Sequence, residues 1–312
     1  MLTDAHCHPF DLAVFLPNAE NERRRLEICC AASASSPEEF MYCEQLSVQA
    51  KTASAAAMLP CFAVHPQSLL PNEAFPKERA FPLEKLERLD ALAAQGRLAA
   101  VGETGFDLYN AAFRETETMQ EKLFAAHIET ALRCDLPMVI HARRAMHKIF
   151  AYSKMLKKCR AVIFHSWPGT AEEGEALLRR GINAYFSFGT TILLNHRQAL
   201  RCCAAFPANR LLAETDAPFQ PLRGKAYSGY SDIALVLAAM ASLRNNAEVA
   251  DMEKIIEENF KSAFFIRGEG LIPRPLGRES SSSSFGSLGI KPESNSSGKQ
   301  NTPLLAAGYF IK

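Results

Sequence analysis

Apolar positions in this chain fall into short runs, each bounded by turn residues and followed by a longer stretch with helical character. Short apolar runs that alternate with helical stretches indicate repeated βα units. Eight such runs lie between Leu2 and Asp216. The candidate strands are residues 2–8, 28–33, 59–65, 98–103, 138–141, 162–165, 184–188 and 211–216.

The stretches between these runs predict helices, and several of them begin with recognisable start signals. Ser35 or Ser36 precedes Pro37, and Thr170 is followed by acidic residues, which are favoured in the first turn of a helix. Two further helices follow the last strand. The predicted helices are residues 37–56, 83–95, 115–134, 143–158, 171–180, 195–205, 231–243 and 252–265.

Eight alternations of strand and helix over about 265 residues predict an α/β fold. The expected architecture is a single (β/α)₈ TIM barrel, which typically needs about 250 residues. A doubly wound dinucleotide-binding sheet is disfavoured because no Gly-x-Gly-x-x-Gly follows the first strand. We therefore expect one barrel domain over residues 1–267. Residues 268–312 are rich in Ser, Pro and Gly, and we predict that they form a disordered tail.

The first strand carries a His-x-His pair. Side chains alternate between the two faces of a strand, so His6 and His8 project to one side and Cys7 to the other. Neutral imidazole is a common ligand of divalent transition metals. Two histidines in an ordinary buried strand are the alternative, and the ends of the later strands decide between the two interpretations.

Four later strands end on a potential ligand. The carboxyl ends of all barrel strands point at one mouth, so ligands that are remote in sequence become neighbours there. Four imidazoles and two carboxylates suit two ions about 3.5–4 Å apart that share a bridging carboxylate. The predicted metal ligands are His6, His8, Glu103, His141, His165 and Asp216.

Two further side chains are expected at the same mouth. His65 ends the third strand and Arg143 lies two residues beyond His141. Either can hold an anionic oxygen, and the arginine offers the bidentate hydrogen bonds that match a phosphate. The alternatives are a loop-anchoring hydrogen bond for His65 and a surface charge for Arg143. Trp167 either stacks a nucleobase or lines the barrel without a ligand.

The net charge of the chain limits how it can bind a polyanionic substrate. Lys and Arg number 35 against 34 for Asp and Glu, so any polyanion must be held locally rather than by bulk charge. Nine scattered cysteines without a Cys-x-x-Cys motif suit buried thiols in a reducing compartment. Asp4 and His6 stand where a signal peptide needs a basic start and an apolar run. We therefore expect a cytoplasmic protein with no membrane contact and no obligate protein partner.

Seven motifs occur in an order that resembles the TatD family of metal-dependent deoxyribonucleases, among the amidohydrolase-like metal barrels. The resemblance covers residues 1–265. The motifs are Asp4-Ala-His-Cys-His8, Val64-His65-Pro66, Gly102-Glu-Thr-Gly-Phe-Asp107, Ile140-His-Ala-Arg143, His165-Ser-Trp-Pro-Gly169, Ser187-Phe-Gly189 and Glu214-Thr-Asp-Ala-Pro218.

The resemblance implies a divalent-metal nuclease, often exonucleolytic on DNA, and it implies a division of the ligands. His6, His8, Glu103 and Asp216 would hold one ion, and Glu103, His141 and His165 the other. The chain departs from the family at Gln67, where a second histidine is frequent, in the long segment 68–81, and in residues 225–231, which replace an Asn-Glu-Pro-like segment. These departures concern the substrate rather than the metal ligands.

The predicted function is therefore a two-metal phosphodiester hydrolase that acts on DNA, with RNA as an alternative substrate. Two divalent ions, Mg²⁺, Mn²⁺ or Zn²⁺, would activate a water, with Glu103 bridging them. Asp216 is the candidate general base, and His65 and Arg143 would steady the phosphate. The alternatives are an amide or ester hydrolase of the amidohydrolase type and a non-catalytic nucleic-acid-binding or protein-interaction module.

Overall fold

Eight parallel strands form one sheet in which each strand pairs with the next along the chain. The computed structural model describes residues 1–52, 57–70, 81–245 and 247–264. The strand order is β1 to β8 without interruption. The strands are Thr3–Cys7 (β1), Cys29–Ala34 (β2), Met58–Phe62 (β3), Ala100–Asp107 (β4), Met138–Arg143 (β5), Val162–Phe164 (β6), Ala184–Phe188 (β7) and Leu211–Ala213 (β8).

The chain after β8 returns to β1. The Asp216 N–H donates to the carbonyl oxygen of His6 at 2.9 Å, and the His8 N–H donates to that of Ala217 at 2.8 Å. Because these bonds join the last strand to the first, the sheet is a nearly closed barrel. The predicted α/β fold, a TIM barrel, is confirmed, and its mouth is the edge at which the strands end.

Helices lie between the strands and cover the barrel. In the described ranges they are Pro9–Phe15 (α1), Ala19–Arg25 (α2), Pro37–Thr52 (α3), Leu83–Ala94 (α4), Ala111–Arg114 (α5), Glu117–Arg133 (α6), Met146–Ala151 (α7), Ser153–Leu156 (α8), Ala171–Arg179 (α9), Thr190–Leu193 (α10), Arg197–Ala205 (α11), Asp232–Leu243 (α12) and Val249–Phe264 (α13). Short 3₁₀ turns span Pro66–Leu69 and Ala208–Arg210.

The predicted start of the helix after β6 is confirmed in atomic detail. Thr170 Oγ1 accepts from the Glu173 N–H at 3.1 Å, and Glu173 Oε2 accepts from the Thr170 N–H at 2.7 Å. This reciprocal pair satisfies two backbone donors that the first helical turn leaves unpaired. The local sequence therefore fixes where α9 begins.

The structure differs from the predicted elements in several places. Helices α5 and α10 were not predicted, β3 ends at Phe62 rather than at His65, and β8 ends at Ala213 rather than at Asp216. Helices α1 and α2 were not predicted because seven residues are too few to reveal a helical period. The predicted helix 143–158 is wrong at its start, since β5 continues through Arg143, and the remainder divides into α7 and α8. The fourth strand extends to Asp107 rather than ending at Glu103.

Gly105 explains why the fourth strand continues so close to the fifth. Its φ is +135°, and a Cβ at this position would lie 2.0 Å from the carbonyl oxygen of His141. Only glycine permits both this backbone conformation and this close approach. The extended β4 therefore brings Asp107 alongside Arg143, its register partner on β5.

The barrel interior below the mouth is apolar. It includes Val139, Ile163 and Leu212 from three strands, and Phe260 and Phe264 of α13 pack against these residues. Helix α13 therefore closes the end of the barrel opposite the mouth.

All nine cysteines lie in the described ranges and are free thiols. Among the helices of those ranges, none has both the length and the apolar character that crossing a membrane requires. Residues 268–312, the predicted tail, lie outside the described residues, as do most of the predicted long segment 68–81 and the predicted helix end at 53–56.

Candidate metal centre

The six predicted ligands meet at the mouth of the barrel, although they come from five strands. His6 and His8 flank the end of β1, and Glu103 lies within β4. His141 belongs to β5, His165 directly follows β6, and Asp216 follows β8. All six are largely withdrawn from solvent. The clustering follows from the barrel topology, since its parallel strands all end at this mouth.

Glu103 is the centre of this cluster, and its two carboxylate oxygens face different imidazoles. Oε2 lies 3.2 Å from His6 Nε2 and 3.7 Å from His8 Nε2. Oε1 lies 2.8 Å from His141 Nδ1, 3.2 Å from His65 Nε2 and 3.6 Å from His165 Nε2. One carboxylate therefore joins two groups of nitrogen ligands.

The first group consists of His6, His8 and Asp216. The two Nε2 atoms are 3.1 Å apart, and Asp216 Oδ1 lies 3.5 Å from His6 Nε2 and 3.4 Å from His8 Nε2. The ligand atoms of these three residues all lie within 4.8 Å of one another. Two nitrogens and one carboxylate oxygen at this spacing can hold one divalent ion together with Glu103 Oε2.

Three ligand histidines have a polar partner on the ring nitrogen that faces away from the cluster. His141 Nε2 lies 3.3 Å from Asp107 Oδ2, and His165 Nδ1 lies 3.0 Å from Glu214 Oε1. His6 Nδ1 lies 3.2 Å from Ser33 Oγ. A partner at the outer nitrogen favours the proton there and leaves the inner nitrogen free for a metal.

Asp107 and Glu214 were not assigned a role from the sequence. Their spacing from two of the predicted ligands nevertheless indicated a place in the site. Asp107 is four residues after Glu103, and Glu214 is two residues before Asp216. Even spacings of this kind place side chains on the same face of a strand.

His65 lies against Glu103 but has a different tautomer from the ligand histidines. Its Nδ1 accepts a hydrogen bond from the Gln67 N–H at 3.2 Å. A neutral His65 therefore carries its proton on Nε2, the atom that faces Glu103 Oε1. Because a protonated nitrogen cannot bind a metal, this geometry favours His65 as a hydrogen-bond donor, although it could group with Glu103 and His141 around an ion.

Asp216 is held by a side chain that the sequence did not single out. Gln220 Nε2 donates to Asp216 Oδ2 at 2.7 Å. The backbone φ of Asp216 is +55°, in the left-handed region, where a non-glycine residue is uncommon. Gln220 and this backbone turn together direct the other oxygen, Oδ1, towards His6 and His8.

The charges of the site shift the pKa values of its members in opposite directions. Burial raises the pKa of Glu103, but the surrounding histidines His65, His6 and His165 outweigh burial and hold that pKa well below its usual range. Burial lowers the pKa of His141, but Asp107 and Glu103 outweigh it and raise this pKa to about 9. For His165, Glu214, Asp216 and Glu103 likewise outweigh burial and raise the pKa to about 10.

These residues fit divalent metal ions. The carboxylates raise the pKa values of His141 and His165 although burial opposes this shift. The carboxylates therefore give the site a negative potential, which attracts cations. The inner nitrogens of these histidines are also the atoms that face Glu103. A metal ion that displaces the two protons would meet a prepared set of nitrogen and oxygen ligands.

The remaining candidates occupy different places. Arg143 ends β5, and its guanidinium lies over the ring of Tyr109, 3.7 Å from the ring centroid. Trp167 is only 5% exposed and packs edge-on against Phe164 and Phe186. Of the two interpretations of Trp167, packing without a ligand is correct, because an indole that is so deeply buried cannot stack a nucleobase.

The chain is similar to known metal-dependent hydrolases. Residues 3–265 match the model of the TatD-related DNase family. The metal-dependent hydrolase YcfH of Escherichia coli K12 is 31% identical over 180 residues, 56% of this chain and 65% of that protein. The 3'-5' ssDNA/RNA exonuclease TatD of Escherichia fergusonii is 34% identical over 131 residues, 41% of this chain and 48% of that protein. These relatives are thus matched over less than two thirds of their length.

The fold is shared with solved structures. YJJV, a TatD homologue from Escherichia coli K12, superposes with a TM-score of 0.69 at 24% identity and covers 84% of this chain and 97% of its own. A TatD family hydrolase from Entamoeba histolytica superposes with a TM-score of 0.66 at 16% identity, covering 85% and 98%. With the family match over residues 3–265, the chain belongs to the TatD-related DNase family of metal-dependent hydrolases.

Proposed function

We propose that this protein is a divalent-metal-dependent phosphodiesterase that removes nucleotides from the end of a DNA strand, with RNA as the alternative substrate. The observation that carries the proposal is the position of Glu103. Its two oxygens face different imidazoles, with His6 Nε2 3.2 Å from Oε2 and His141 Nδ1 2.8 Å from Oε1, as a carboxylate shared by two ions would. Relatives that carry the name 3'-5' ssDNA/RNA exonuclease support the choice of a nucleic acid.

Two ions would be held by the six residues already described. His6, His8 and Asp216 would hold one ion and His141 and His165 the other, with Glu103 between them. When bound, the ions supply Lewis acidity, which polarises the scissile phosphate and brings the pKa of a water towards neutrality. The candidate ions are Mg²⁺, Mn²⁺ and Zn²⁺.

The chain's own residues supply proton transfer and positioning. Asp216 accepts the proton of the attacking water, while Gln220 holds its second oxygen at 2.7 Å and so fixes the direction of the accepting oxygen. His65 Nε2 donates to a non-bridging phosphate oxygen. Arg143 places a planar cation at the same mouth, where it neutralises the charge of the phosphate.

A nuclease assay tests this proposal. The full chain is stripped with a chelator, reloaded with Mg²⁺, Mn²⁺ or Zn²⁺, and given single- and double-stranded DNA and single-stranded RNA labelled at either end. We expect no cleavage in chelator, cleavage after reloading, and mononucleotide products from one labelled end. Asp216→Asn, which removes the proton acceptor, serves as the inactive control.

Two outcomes would contradict the proposal. Undiminished cleavage by a metal-free preparation, verified by elemental analysis, would exclude the metal mechanism. Hydrolysis of carboxylic esters or amides by reloaded protein that leaves every nucleic acid intact would place the chain among hydrolases of the amidohydrolase type. The same preparation can be given both classes of substrate, so one assay distinguishes a phosphodiesterase from an amide or ester hydrolase.

A further inference from the structure

Two consecutive arginines converge on one tyrosine beside the metal centre. The guanidinium carbon of Arg143 lies 3.7 Å from the centroid of the Tyr109 ring, and that of Arg144 lies 4.6 Å from it. Arg144 Nη1 also donates to the carbonyl oxygen of Tyr109 at 3.3 Å. We call these three residues the Arg–Tyr–Arg cluster.

The convergence depends on an unusual backbone conformation. Consecutive residues of a strand point to opposite faces, so Arg143 and Arg144 would ordinarily diverge. The φ of Arg144 is +56°, in the left-handed region that side-chain-bearing residues rarely occupy. This turn brings the second guanidinium back to the ring that the first one covers. Strained conformations of this type persist where the surrounding structure enforces them, which is often at functional sites.

The cluster is held to the metal centre through Asp107. The Tyr109 N–H donates to Asp107 Oδ1 at 2.9 Å, and Asp107 Oδ2 faces His141 Nε2. The backbone of Arg143 accepts from the Leu108 N–H at 2.9 Å. The positions of Tyr109 and Arg143 are therefore set by the same strand ends that carry Glu103 and His141.

The positive charge of the cluster is uncompensated. Within the part of the chain that the structure describes, neither Arg143 nor Arg144 forms an ion pair with a carboxylate, whereas Arg97 and Arg133 each do. The tyrosine ring attracts both guanidinium groups but carries no net charge. Arg143 is half-buried and Arg144 is exposed at the mouth, so an anion arriving from solvent can reach both.

The position of the cluster identifies the anion. Arg143 is two residues beyond His141, and two residues of a parallel strand advance about 7 Å. A nucleic acid strand whose scissile phosphate lies at the metal centre would therefore run on past the cluster. Guanidinium groups bind phosphate through paired hydrogen bonds, and Tyr109, which is half-buried, adds an aromatic surface for the adjoining sugar or base.

We propose that the Arg–Tyr–Arg cluster is a second phosphate-binding subsite, which holds the phosphodiester next to the scissile one. The inference rests on the proposed nuclease function and extends it, because it makes the enzyme prefer a strand of several nucleotides to an isolated phosphodiester. Arg144 is the residue that distinguishes a strand of several nucleotides from an isolated phosphodiester, since we assign Arg143 to the scissile phosphate as well.

The experiment compares two substrates across matched variants. A short single-stranded DNA carries neighbouring phosphates, whereas bis(p-nitrophenyl) phosphate carries one. In Arg144→Ala, the ratio of kcat/KM for the DNA to that for the small diester should fall about tenfold, as expected for loss of a hydrogen bond to a charged group. Arg144→Lys should recover part of this ratio.

Arg179→Ala removes an exposed charge at the far end of α9 and should leave the ratio unchanged.

The salt dependence of the DNA reaction provides a second measurement. Removing one phosphate contact from a single-stranded complex reduces the slope of log(kcat/KM) against log[salt] by about 0.7. An unchanged ratio and an unchanged slope in Arg144→Ala would overturn the subsite, as would an equal loss in Arg179→Ala.

Direct binding separates failure of the subsite from failure of the nuclease proposal. Fluorescence anisotropy with labelled single-stranded DNA is measured on metal-free protein. If the wild type hydrolyses neither substrate, the nuclease proposal fails. Weaker DNA binding by Arg144→Ala than by Arg179→Ala would still support the phosphate subsite. Equal binding by these two variants would overturn it.

Discussion

The carboxylate of Glu103 separates the nitrogen ligands of the mouth into two groups. Its Oε2 faces His6 and His8, and its Oε1 faces His65, His141 and His165. Of the side chains at the mouth, Glu103 is thus the one we assign to both ions. His65, at nearly the same distance from Glu103 as His6 is, differs because its tautomer offers a proton rather than a lone pair.

Replacing Glu103 and His65 should therefore have different effects on the bound metal. Glu103→Ala removes the shared ligand, so we expect occupancy of at least one ion and turnover to be lost together. His65→Ala should keep both ions and lose catalytic rate or substrate affinity. Bound metal per protein, measured beside phosphodiesterase rate, checks both variants. Full occupancy in Glu103→Ala, or metal loss in His65→Ala, would show that the bridge is misassigned.

The raised pKa values of two histidines predict how metal affinity depends on pH. Asp107 and Glu103 raise the pKa of His141 to about 9, against the effect of burial, and carboxylates raise that of His165 to about 10. At pH 7 both rings of the metal-free protein are therefore protonated, and metal must displace these protons. The apparent affinity for the metal should therefore rise as the pH increases from 6 to above 8.

Calorimetry in buffers of different ionisation enthalpy counts the protons released on binding Mn²⁺. We expect release of at least two protons per protein at pH 7, one each from His141 and His165. His8 can add to this number, since burial lowers its pKa but Asp216 and Glu103 outweigh burial and raise it. His141→Ala should reduce this number by about one. Binding without proton release at pH 7 would mean that the two histidines are not ligands.

At the scale of the elements, the last strand is fastened to the first by a buried carboxyl group. Asp4 Oδ1 accepts from the Thr215 N–H at 3.0 Å and from the His6 N–H at 3.2 Å, and Oδ2 accepts from Thr215 Oγ1 at 2.6 Å. Burial raises the pKa of Asp4 to about 7 despite these hydrogen bonds. The bonds hold the two ends of the barrel sheet together directly below His6 and Asp216.

Removing this carboxyl group should weaken the barrel. Asp4→Ala leaves the buried N–H groups of Thr215 and His6 without an acceptor, which should lower the free energy of unfolding by about 2–4 kcal/mol. Asp4→Asn keeps an acceptor oxygen and should cost less than half as much. Denaturant unfolding of metal-free protein measures both. An equal loss in the two variants would show that charge, rather than hydrogen bonding, closes the sheet.

At the scale of the whole molecule, all the predicted ligands lie in residues 1–267, and the described part of the chain forms a barrel whose far end is filled by α13. The serine run and the low apolar content of residues 268–312 are the basis on which a tail is predicted there. We therefore expect residues 1–267 to bind metal and to catalyse hydrolysis without residues 268–312.

Truncation after Arg267 should leave the melting temperature, the bound metal and the phosphodiesterase rate nearly unchanged. The full chain and the truncated chain are compared by calorimetry and by the same nuclease assay. A fall in melting temperature of several degrees would instead show that the apolar residues 304–311 pack onto the barrel, contrary to the predicted disorder.

The sequence by itself determined the fold and the predicted ligand set. Eight alternations of apolar run and helix specify a TIM barrel, because no other common arrangement closes eight parallel strands within about 250 residues. The barrel then places every strand end at one mouth, so Glu103, His141, His165 and Asp216 could be expected beside His6 and His8 without coordinates.

Only the tertiary structure decided which atom faces which neighbour. The pairing register shifts within β1, between Asp4 and Cys7, and within β4, between Val101 and Thr104. Such irregularities re-aim side chains next to a site, and strand alternation cannot foresee them. The tautomer of His65 and the convergence of Arg143 and Arg144 on Tyr109 likewise depend on single hydrogen bonds and one backbone angle. These are contacts between residues whose spacing in the sequence carries no periodic signal, so only the folded chain reveals them.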